Sequence, residues 1–233
     1  MSSNNRRPSL RLITQRICMP ENPDVILYNE CLLRECDEGR LTSAGRFVQI
    51  MEDQNNILWL DRLVFRLALR YLRCRPSLKL GINMSFKSAC LDEAWTFLLD
   101  NQERYGDLFA RLTIEFTERS IMPCLEKTYA FVEELRRLGC RIAIDDFGGG
   151  QEQISRLAVL RPDIVKLNCD SLWEARQRGL AQKEYSALVD ISRGMANIVV
   201  AEGVETIDDR SFLASLGIEW QQGYYYDKGE FII

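Results

Sequence analysis

The chain has 233 residues, of which 46% are hydrophobic and 27% charged, values that are usual for a globular protein. Its net charge of −4 and pI near 5.2 give no basic surface of the kind that binds nucleic-acid polymers. The chain contains no histidine, which excludes Ser-His-Asp and Cys-His catalysis and His-ligated zinc. Any enzyme here must therefore use carboxylates, lysine, a metal ion or a cofactor.

No apolar run approaches the roughly 18 residues that a membrane span needs, and no signal-peptide core follows the polar N-terminus. The eight cysteines form no CxxC pair and mostly lie in apolar segments, which favours reduced thiols over a disulfide framework. We therefore expect a cytoplasmic protein without membrane insertion. Residues 1–9 are expected to form a disordered tail, and residues 10–233 a single domain, since no repeat or composition break marks a boundary.

The first two elements are predicted to be strands, at Leu10–Met19 and Val25–Arg34. Pro20 has no N–H with which to continue a strand ladder, so the first strand should end there. The turn-forming residues from Pro20 to Asp24 predict a hairpin connection between the two strands.

Helices and further strands then alternate along the chain, which predicts parallel βα units. The predicted helices cover residues 43–51, 56–73, 92–102, 125–138, 154–160, 185–195 and 208–216. The predicted strands cover residues 78–84, 112–118, the first half of 141–150, 163–168, 197–202 and 218–222. Eight strands in about this length favour an α/β fold of the modified TIM-like (β/α)8 type, with an N-terminal strand hairpin and one antiparallel strand.

Polar residues collect at or near the carboxyl ends of these strands, where a βα barrel has its mouth and its active site. They are Asn83, Glu115, Asp145, Asp146, Lys166 and Glu202. A single carboxylate in such a place is usually a helix cap or a turn residue, whereas six polar groups together indicate a shared site. Carboxylate and amide oxygens are hard ligands that suit Mg²⁺ or Mn²⁺.

The adjacent carboxylates of Asp145 and Asp146 allow two interpretations. Asp near Gly often forms a plain polar turn, and the decapeptide from Arg141 to Gly150 alone favours that reading. In an ideal strand the two side chains would point to opposite faces, so both could face one metal centre only if the strand breaks there. The run from Gly148 to Gly150 permits such a break, and two metal ions about 3.5–4 Å apart would suit hydrolysis of a phosphodiester.

Seven short motifs follow one another in a recognisable order along residues 15 to about 226. The first four are Glu30-Cys31-Leu32-Leu33-Arg34, Asn83-Met84-Ser85, Glu115-Phe116-Thr117-Glu118 and Asp145-Asp146-Phe147-Gly148. The last three are Val165-Lys166-Leu167-Asn168, Ala201-Glu202-Gly203-Val204-Glu205-Thr206 and Gln222-Gly223-Tyr224. In this order they resemble the E-A-L-L-R, N-L-S, E-x-T-E, D-D-F-G, I-K-I-D, A-E-G-V-E-T and Q-G-Y motifs of the EAL domain family of cyclic di-GMP phosphodiesterases.

The resemblance implies hydrolysis of cyclic di-GMP to linear pGpG with two Mg²⁺ or Mn²⁺ ions. One metal would be held by Glu30, Asn83, Glu115 and Asp145, and a second by Asp145, Asp146 and Glu202. Lys166 would orient or deprotonate the attacking water, Gln222 would position it, and Glu118 would brace the loop after Asp146. Gln15, Leu32 and Arg34 would contact the ligand, with Arg34 at a phosphate. A homodimer is a further expectation from the family.

Three departures from the family pattern keep a second hypothesis open. Asn168 replaces the usual Asp, the loop of residues 148–153 has an unusual glycine content, and Glu35-Cys36-Asp37 stands where Trp and Pro are usual. The alternative is a catalytically weak EAL domain that acts as a cyclic di-GMP receptor or binds a protein partner. A third reading, a metal-free barrel that binds a sugar or cofactor, would require all the strand-end carboxylates to be caps.

Overall fold

The computed structural model describes residues 9–38, 40–99, 106–117, 122–148, 154, 159–177 and 179–231. Its strands are β1 Ser9–Cys18, β2 Ile26–Asp37, β3 Arg40–Ser43, β4 Leu80–Met84, β5 Leu112–Thr117, β6 Arg141–Phe147, β7 Ile164–Leu167, β8 Ile198–Ala201, β9 Trp220–Gln221 and β10 Glu230–Phe231. Its α-helices are α1 Gly45–Asp53, α2 Ile57–Cys74, α3 Glu93–Leu99, α4 Leu125–Arg137, α5 Cys169–Ala175, α6 Leu180–Met195 and α7 Ile207–Ser215.

Eight of the described strands close into a barrel. From β2 the order runs through β4, β5, β6, β7, β8 and β9 with every pair parallel. Strand β1 closes the ring by pairing antiparallel with both β9 and β2, while β3 and β10 extend the sheet outside it. The predicted α/β barrel with an N-terminal hairpin and one antiparallel strand is confirmed.

The hairpin between β1 and β2 forms where the sequence predicted it. Met19 N–H donates to the Val25 carbonyl at 3.1 Å, and Val25 N–H donates to the Asn22 carbonyl at 2.9 Å. The two strands pair from Ser9 opposite Cys36 down to the turn, so β2 extends beyond Arg34. The hairpin thus places the motif that begins at Glu30 on a long, rigid ribbon.

Apolar residues fill two separate regions, one outside the barrel and one inside it. Outside, helices pack on the sheet through rings such as Trp95, whose centroid lies 5.3 Å from that of Phe65 and 5.2 Å from that of Phe131. The inner cluster includes Ile17, Tyr28, Ala143, Ile164 and Val200. Successive strand residues alternate between faces, so residues two positions further along face the same interior. The inner cluster is therefore the floor beneath the polar strand ends.

Some elements differ from the prediction. Strands β3 and β10 and helix α5 were not predicted, because the two short strands depend on pairing partners and α5 is too short to show a helical period. The predicted helix at residues 154–160 and the predicted tail at residues 1–9 fall largely outside the described residues, and Ser9 already belongs to β1. Among the described helices, none is long and apolar enough to cross a membrane.

Candidate functional site

Four predicted carboxylates meet around one lysine at the mouth of the barrel. Lys166 projects from β7 and is fully buried. Its Nζ lies 3.0 Å from Glu30 Oε2, 2.7 Å from Glu115 Oε2, 2.8 Å from Asp145 Oδ1 and 2.8 Å from Glu202 Oε1. We refer to these four carboxylates as the carboxylate ring. They come from β2, β5, β6 and the residue after β8, so the closure of the barrel itself brings them together.

The floor of the barrel makes room for the ring. Gly81 in β4 has no side chain, and a Cβ built there would overlap both Glu115 Oε1 and the ring of Tyr28. Tyr28 is fully buried, and its hydroxyl has no hydrogen-bond partner among the described residues. Gly81 and Tyr28 each stand two residues before a predicted ligand, Asn83 and Glu30, on the same strand face. The pair therefore sets the space in which the Glu115 carboxylate lies.

The strand that carries Asp145 and Asp146 is irregular at these residues. Its register against β7 shifts between Ile144 and Phe147, and Asp146 has a φ of +60° in the left-handed region. Asp tolerates this conformation better than most residues. The backbone N–H of Asp146 donates to the Asp145 carboxylate. The break that the sequence allowed is thus present, so the two side chains do not follow strict strand alternation.

Three side chains hold Glu30 in the ring. Asn83 Nδ2 donates to Glu30 Oε1 at 2.9 Å, so the carbonyl oxygen of the amide is not used in this contact. Gln222 Nε2 donates to Glu30 Oε2 at 2.6 Å, and Lys166 contacts the same oxygen. The amide of Gln222 also donates to Gln15 Oε1 at 3.2 Å. Four predicted site residues, at positions 15, 30, 83 and 222, thus form one hydrogen-bonded group.

The ring carries more negative charge than one ammonium can balance, and its pKa values show this. Burial and the neighbouring carboxylates raise the pKa of Glu202 to about 8 and raise the pKa of Glu115 and of Asp145. Glu30 is the exception, because Lys166 and the amides of Gln222 and Asn83 lower its pKa despite burial. Although burial alone would lower the pKa of Lys166, the four carboxylates raise it well above its ordinary value. Burial and mutual repulsion therefore disfavour the ionised forms of Glu115, Asp145 and Glu202 in the absence of a further cation.

The residues present fit a hard divalent cation. Within the described residues, Glu30, Glu115 and Asp145 each offer an oxygen, and these oxygens lie within 4.8 Å of one another. Glu115 Oε1 is buried and has no hydrogen-bond partner there, so it lacks the contact that a buried polar atom requires. An all-oxygen set of carboxylates and an amide suits Mg²⁺ or Mn²⁺.

A cavity of about 570 Å³, a volume in the range of small-molecule sites, reaches Asn83, although none of the four ring carboxylates is among its lining residues. Leu32, Arg34 and Asn83 line it, so two of the three predicted ligand-binding residues share one cavity with a predicted metal ligand. The third, Gln15, is not among its lining residues and bonds to Gln222 and to the Asp227 carbonyl instead. Glu118 and residues 149–153 of the loop after Asp146 lie outside the described residues.

The sequence prediction missed Tyr28, Gly81 and Asp227. The first two could have been found from strand alternation, since each precedes a predicted ligand by two residues. Asp227 lies in an irregular segment after β9, where no periodic signal marks it. Its contacts depend on the return of the chain to β1.

The EAL domain family model matches residues 16–228. The chain is 33% identical over 218 residues to a probable cyclic di-GMP phosphodiesterase, PdeI of Escherichia coli, covering 89% of this chain and 27% of that protein. The PaMucR phosphodiesterase, solved as a c-di-GMP complex, is 27% identical with a TM-score of 0.79, covering 95% of this chain and 97% of that one. A BlrP1 structure from Klebsiella pneumoniae, solved as a manganese and cy-diGMP complex, has a TM-score of 0.79 at 24% identity. The match covers 99% of this chain and 58% of that one, and it shows the same fold.

The chain spans a little over a quarter of the length of the E. coli relatives, 28% for the cyclic di-GMP phosphodiesterase PdeF and 27% for PdeI. The match therefore concerns one domain of those proteins.

Proposed function

Because the chain belongs to the EAL domain family, we propose that it hydrolyses cyclic di-GMP to linear pGpG in a reaction that depends on Mg²⁺ or Mn²⁺. The observation that carries the proposal is the carboxylate ring. Four buried or largely buried carboxylates surround the Lys166 ammonium, and Glu115 Oε1 has no hydrogen-bond partner among the described residues. Such an excess of buried negative charge is costly unless a cation joins it.

Two groups of residues would hold the metal ions. Glu30, Asn83, Glu115 and Asp145 would hold one ion, and Asp145, Asp146 and Glu202 would hold a second. Bound there, the ions would lower the pKa of a water molecule and neutralise phosphoryl oxygens. The strand ends contribute rigidity, since Glu202 N–H donates to the Leu167 carbonyl at 3.1 Å and Gln222 N–H donates to the Ala201 carbonyl at 2.9 Å.

Lys166 would act as a hydrogen-bond donor that orients the attacking water and the carboxylates. The four carboxylates hold its pKa well above the ordinary value against the effect of burial, so the side chain is an ammonium and not a base in this arrangement. Of the two roles that the sequence left open, the orienting one has the stronger support. A metal cation would share these carboxylates with the ammonium and would favour their ionised forms, which couples metal binding to pH.

The cavity that includes Leu32, Arg34 and Asn83 in its lining would hold the nucleotide. Arg34 would contact a phosphate through its guanidinium, and Leu32 would pack against the ligand. Both line the 570 Å³ cavity together with Asn83, which donates to Glu30. A phosphate bound by Arg34 would therefore share this cavity with Asn83, one of the proposed metal ligands.

A turnover assay tests this proposal. The purified protein should convert cyclic di-GMP to pGpG with Mg²⁺ or Mn²⁺, and excess chelator should stop the reaction. Glu30→Ala should lower turnover more than about 100-fold, because it removes an oxygen ligand of the metal. Removal of a residue that only supports a metal ligand already costs up to about 100-fold.

The matched control is Glu126→Ala, which removes an exposed carboxylate from the first turn of α4 and should leave turnover unchanged. Normal rates in Glu30→Ala would show that the site is misassigned. Tight binding of cyclic di-GMP with no pGpG formed would instead assign the chain to the receptor class. The homodimer and the cytoplasmic location stay predictions.

A further inference from the structure

A chain of hydrogen bonds connects the carboxylate ring to the C-terminal segment. Glu30 accepts from Gln222 Nε2, Gln15 Oε1 accepts from the same amide at 3.2 Å, and Gln15 Nε2 donates to the Asp227 carbonyl at 2.8 Å. Gln15 and Gln222 are 9% and 4% exposed, so water does not compete strongly for these bonds. Both ends of the Gln15 amide are therefore engaged within the protein.

The donor and acceptor order along this series of hydrogen bonds is fixed by the Asp227 carbonyl. A backbone carbonyl can only accept, so Gln15 must turn its NH₂ group toward Asp227 and its oxygen toward Gln222. Gln222 must then present its own NH₂ group to both Gln15 and Glu30. Its oxygen, Gln222 Oε1, remains buried without a hydrogen-bond partner among the described residues. An acceptor is thus left beside the ring, where it can accept a hydrogen bond from a water molecule.

The side chain of Asp227 holds that carbonyl in place. Asp227 Oδ2 accepts from Arg16 N–H at 3.0 Å and lies 3.5 Å from Arg16 Nε. Asp227 Oδ1 accepts from Gly229 N–H at 2.8 Å. The carboxylate thus joins the residue next to Gln15 to the C-terminal turn of residues Asp227 to Gly229. Its side chain is only 12% exposed, which keeps these bonds out of bulk water.

The backbone of the turn fits closely against β1. Gly229 has a φ of +92°, and a Cβ there would lie 2.8 Å from Ile13 Cδ1. Strand β10 follows at once and pairs with β1, with Thr14 opposite Glu230. Thr14, the residue next to Gln15 in β1, is therefore paired with the same C-terminal segment that supplies the carbonyl acceptor of the Gln15 amide.

We propose that Asp227 is a positioning residue, which acts through Gln15 to set the orientation of the Gln222 amide against Glu30. The proposal rests on the proposed function: its kinetic readout uses the reaction, and its binding readout uses only the metal site. It assigns Gln15 a role in orienting Gln222, which the sequence had assigned to ligand contact.

The test uses Asp227→Ala in the full chain. The variant should lose about tenfold in kcat with little change in KM, since removing a residue that supports a metal ligand costs on the order of 10- to 100-fold. Mn²⁺ affinity, measured by calorimetry without nucleotide, should weaken as well. The control is Asp190→Ala, which removes a surface carboxylate 3.8 Å from Arg193 on α6 and should leave both quantities unchanged.

Two further variants separate positioning from a loss of stability. Gln15→Ala and Asp227→Ala should not add in the double variant, because they act on the same amide. Asp227→Asn keeps one oxygen acceptor for the turn and should recover part of the Mn²⁺ affinity. A lowered melting temperature with unchanged kcat and Mn²⁺ affinity in Asp227→Ala, or additive effects, would overturn the proposal. Absence of pGpG formation by the wild type would count against the proposed reaction alone, since the Mn²⁺ titrations would still decide the role of Asp227.

Discussion

Two clusters of charged side chains draw on the segment from Glu202 to Asp209, and they are balanced in opposite ways. In the carboxylate ring, four carboxylates surround the one ammonium of Lys166. In the outer cluster, made of Arg176, Glu205 and Asp209, the guanidinium donates twice to Asp209, at 3.0 and 2.9 Å. Asp209 also accepts from the N–H groups of Glu205 and Thr206, so its oxygens are satisfied.

The comparison separates two glutamates that the A-E-G-V-E-T motif places three residues apart. Glu202 joins the ring, whereas the partly exposed Glu205 pairs with Arg176 at 3.0 Å. A charge cluster whose charges and hydrogen bonds are satisfied stabilises the fold and needs no further ligand. A cluster with excess buried negative charge needs a cation. The difference assigns a structural role to the outer cluster and a binding role to the ring. Four substitutions test this assignment.

The largest effect is expected from Lys166→Met, which leaves the ring without its ammonium. The free energy of unfolding at pH 7 should fall by about 3–5 kcal/mol, the usual loss when one member of a buried ion pair is removed. Mn²⁺ should raise the melting temperature more in the variant than in the wild type, because the cation supplies the missing charge. Lys127→Met, on an exposed position of α4, is the control. Equal melting temperatures for the variant and wild type without metal would mean that the ring does not need the ammonium.

Gly81→Ala should perturb the shape of the ring without substituting any of the proposed ligands. The new Cβ would overlap Glu115 Oε1 and the buried Tyr28 ring, so we expect a loss of about 3 kcal/mol from overpacking. Mn²⁺ affinity should fall as Glu115 is displaced. Gly194→Ala is a matched control, since a Cβ there meets nothing within 4 Å. A stability loss with normal Mn²⁺ affinity would show that Glu115 is not a ligand.

Asp209→Asn should change stability without changing metal binding. Although burial opposes it, the hydrogen bonds from Arg176 and the N–H groups of Glu205 and Thr206 lower the pKa of Asp209. A lowered pKa stabilises the fold above the unfolded value of about 3.9 and loses that contribution as pH falls through the folded value. At pH 7 the cost should be about 1 kcal/mol, kept low because Arg176 is partly exposed, and it should shrink below about pH 4.

Urea denaturation at pH 7 and at pH 3.5 measures this difference, with Asp208→Asn, an exposed neighbour in the same helix turn, as the control. A pH-independent cost, or weaker Mn²⁺ binding in Asp209→Asn, would connect the outer cluster to the ring and remove the distinction between them.

The sequence predicted the residues of the carboxylate ring better than the residues that hold the ring in place. Glu115, Asp145, Lys166 and Glu202 were found because strand ends of a parallel barrel converge and their side chains share a chemistry. Tyr28 and Gly81 meet only when β2 pairs with β4, across more than 50 residues of chain, so their complementary shapes have no local signal. Asp227 follows the last barrel strand in an irregular segment, and only the antiparallel pairing of β10 with β1 reveals its role.

The smallest effect is expected at Asn168, which follows the strand of Lys166 and precedes the helix that leads to Arg176. Asn168 Oδ1 accepts from Ser171 N–H at 3.0 Å and so caps α5, the helix that leads to Arg176, while Lys166 lies two residues before it on β7. Asp caps a helix as well as Asn does and adds a favourable charge at the helix N-terminus, so Asn168→Asp should change the free energy of unfolding by less than about 0.5 kcal/mol. Turnover should be kept or raised, measured as pGpG formed per minute.

Asn168→Ala is the comparison, with an expected loss of about 1 kcal/mol in the free energy of unfolding from the missing cap. A severe loss of turnover in Asn168→Asp, with stability unchanged, would mean that an added carboxylate upsets the ring even from a capping position, and that the surroundings of Lys166 are adapted to Asn.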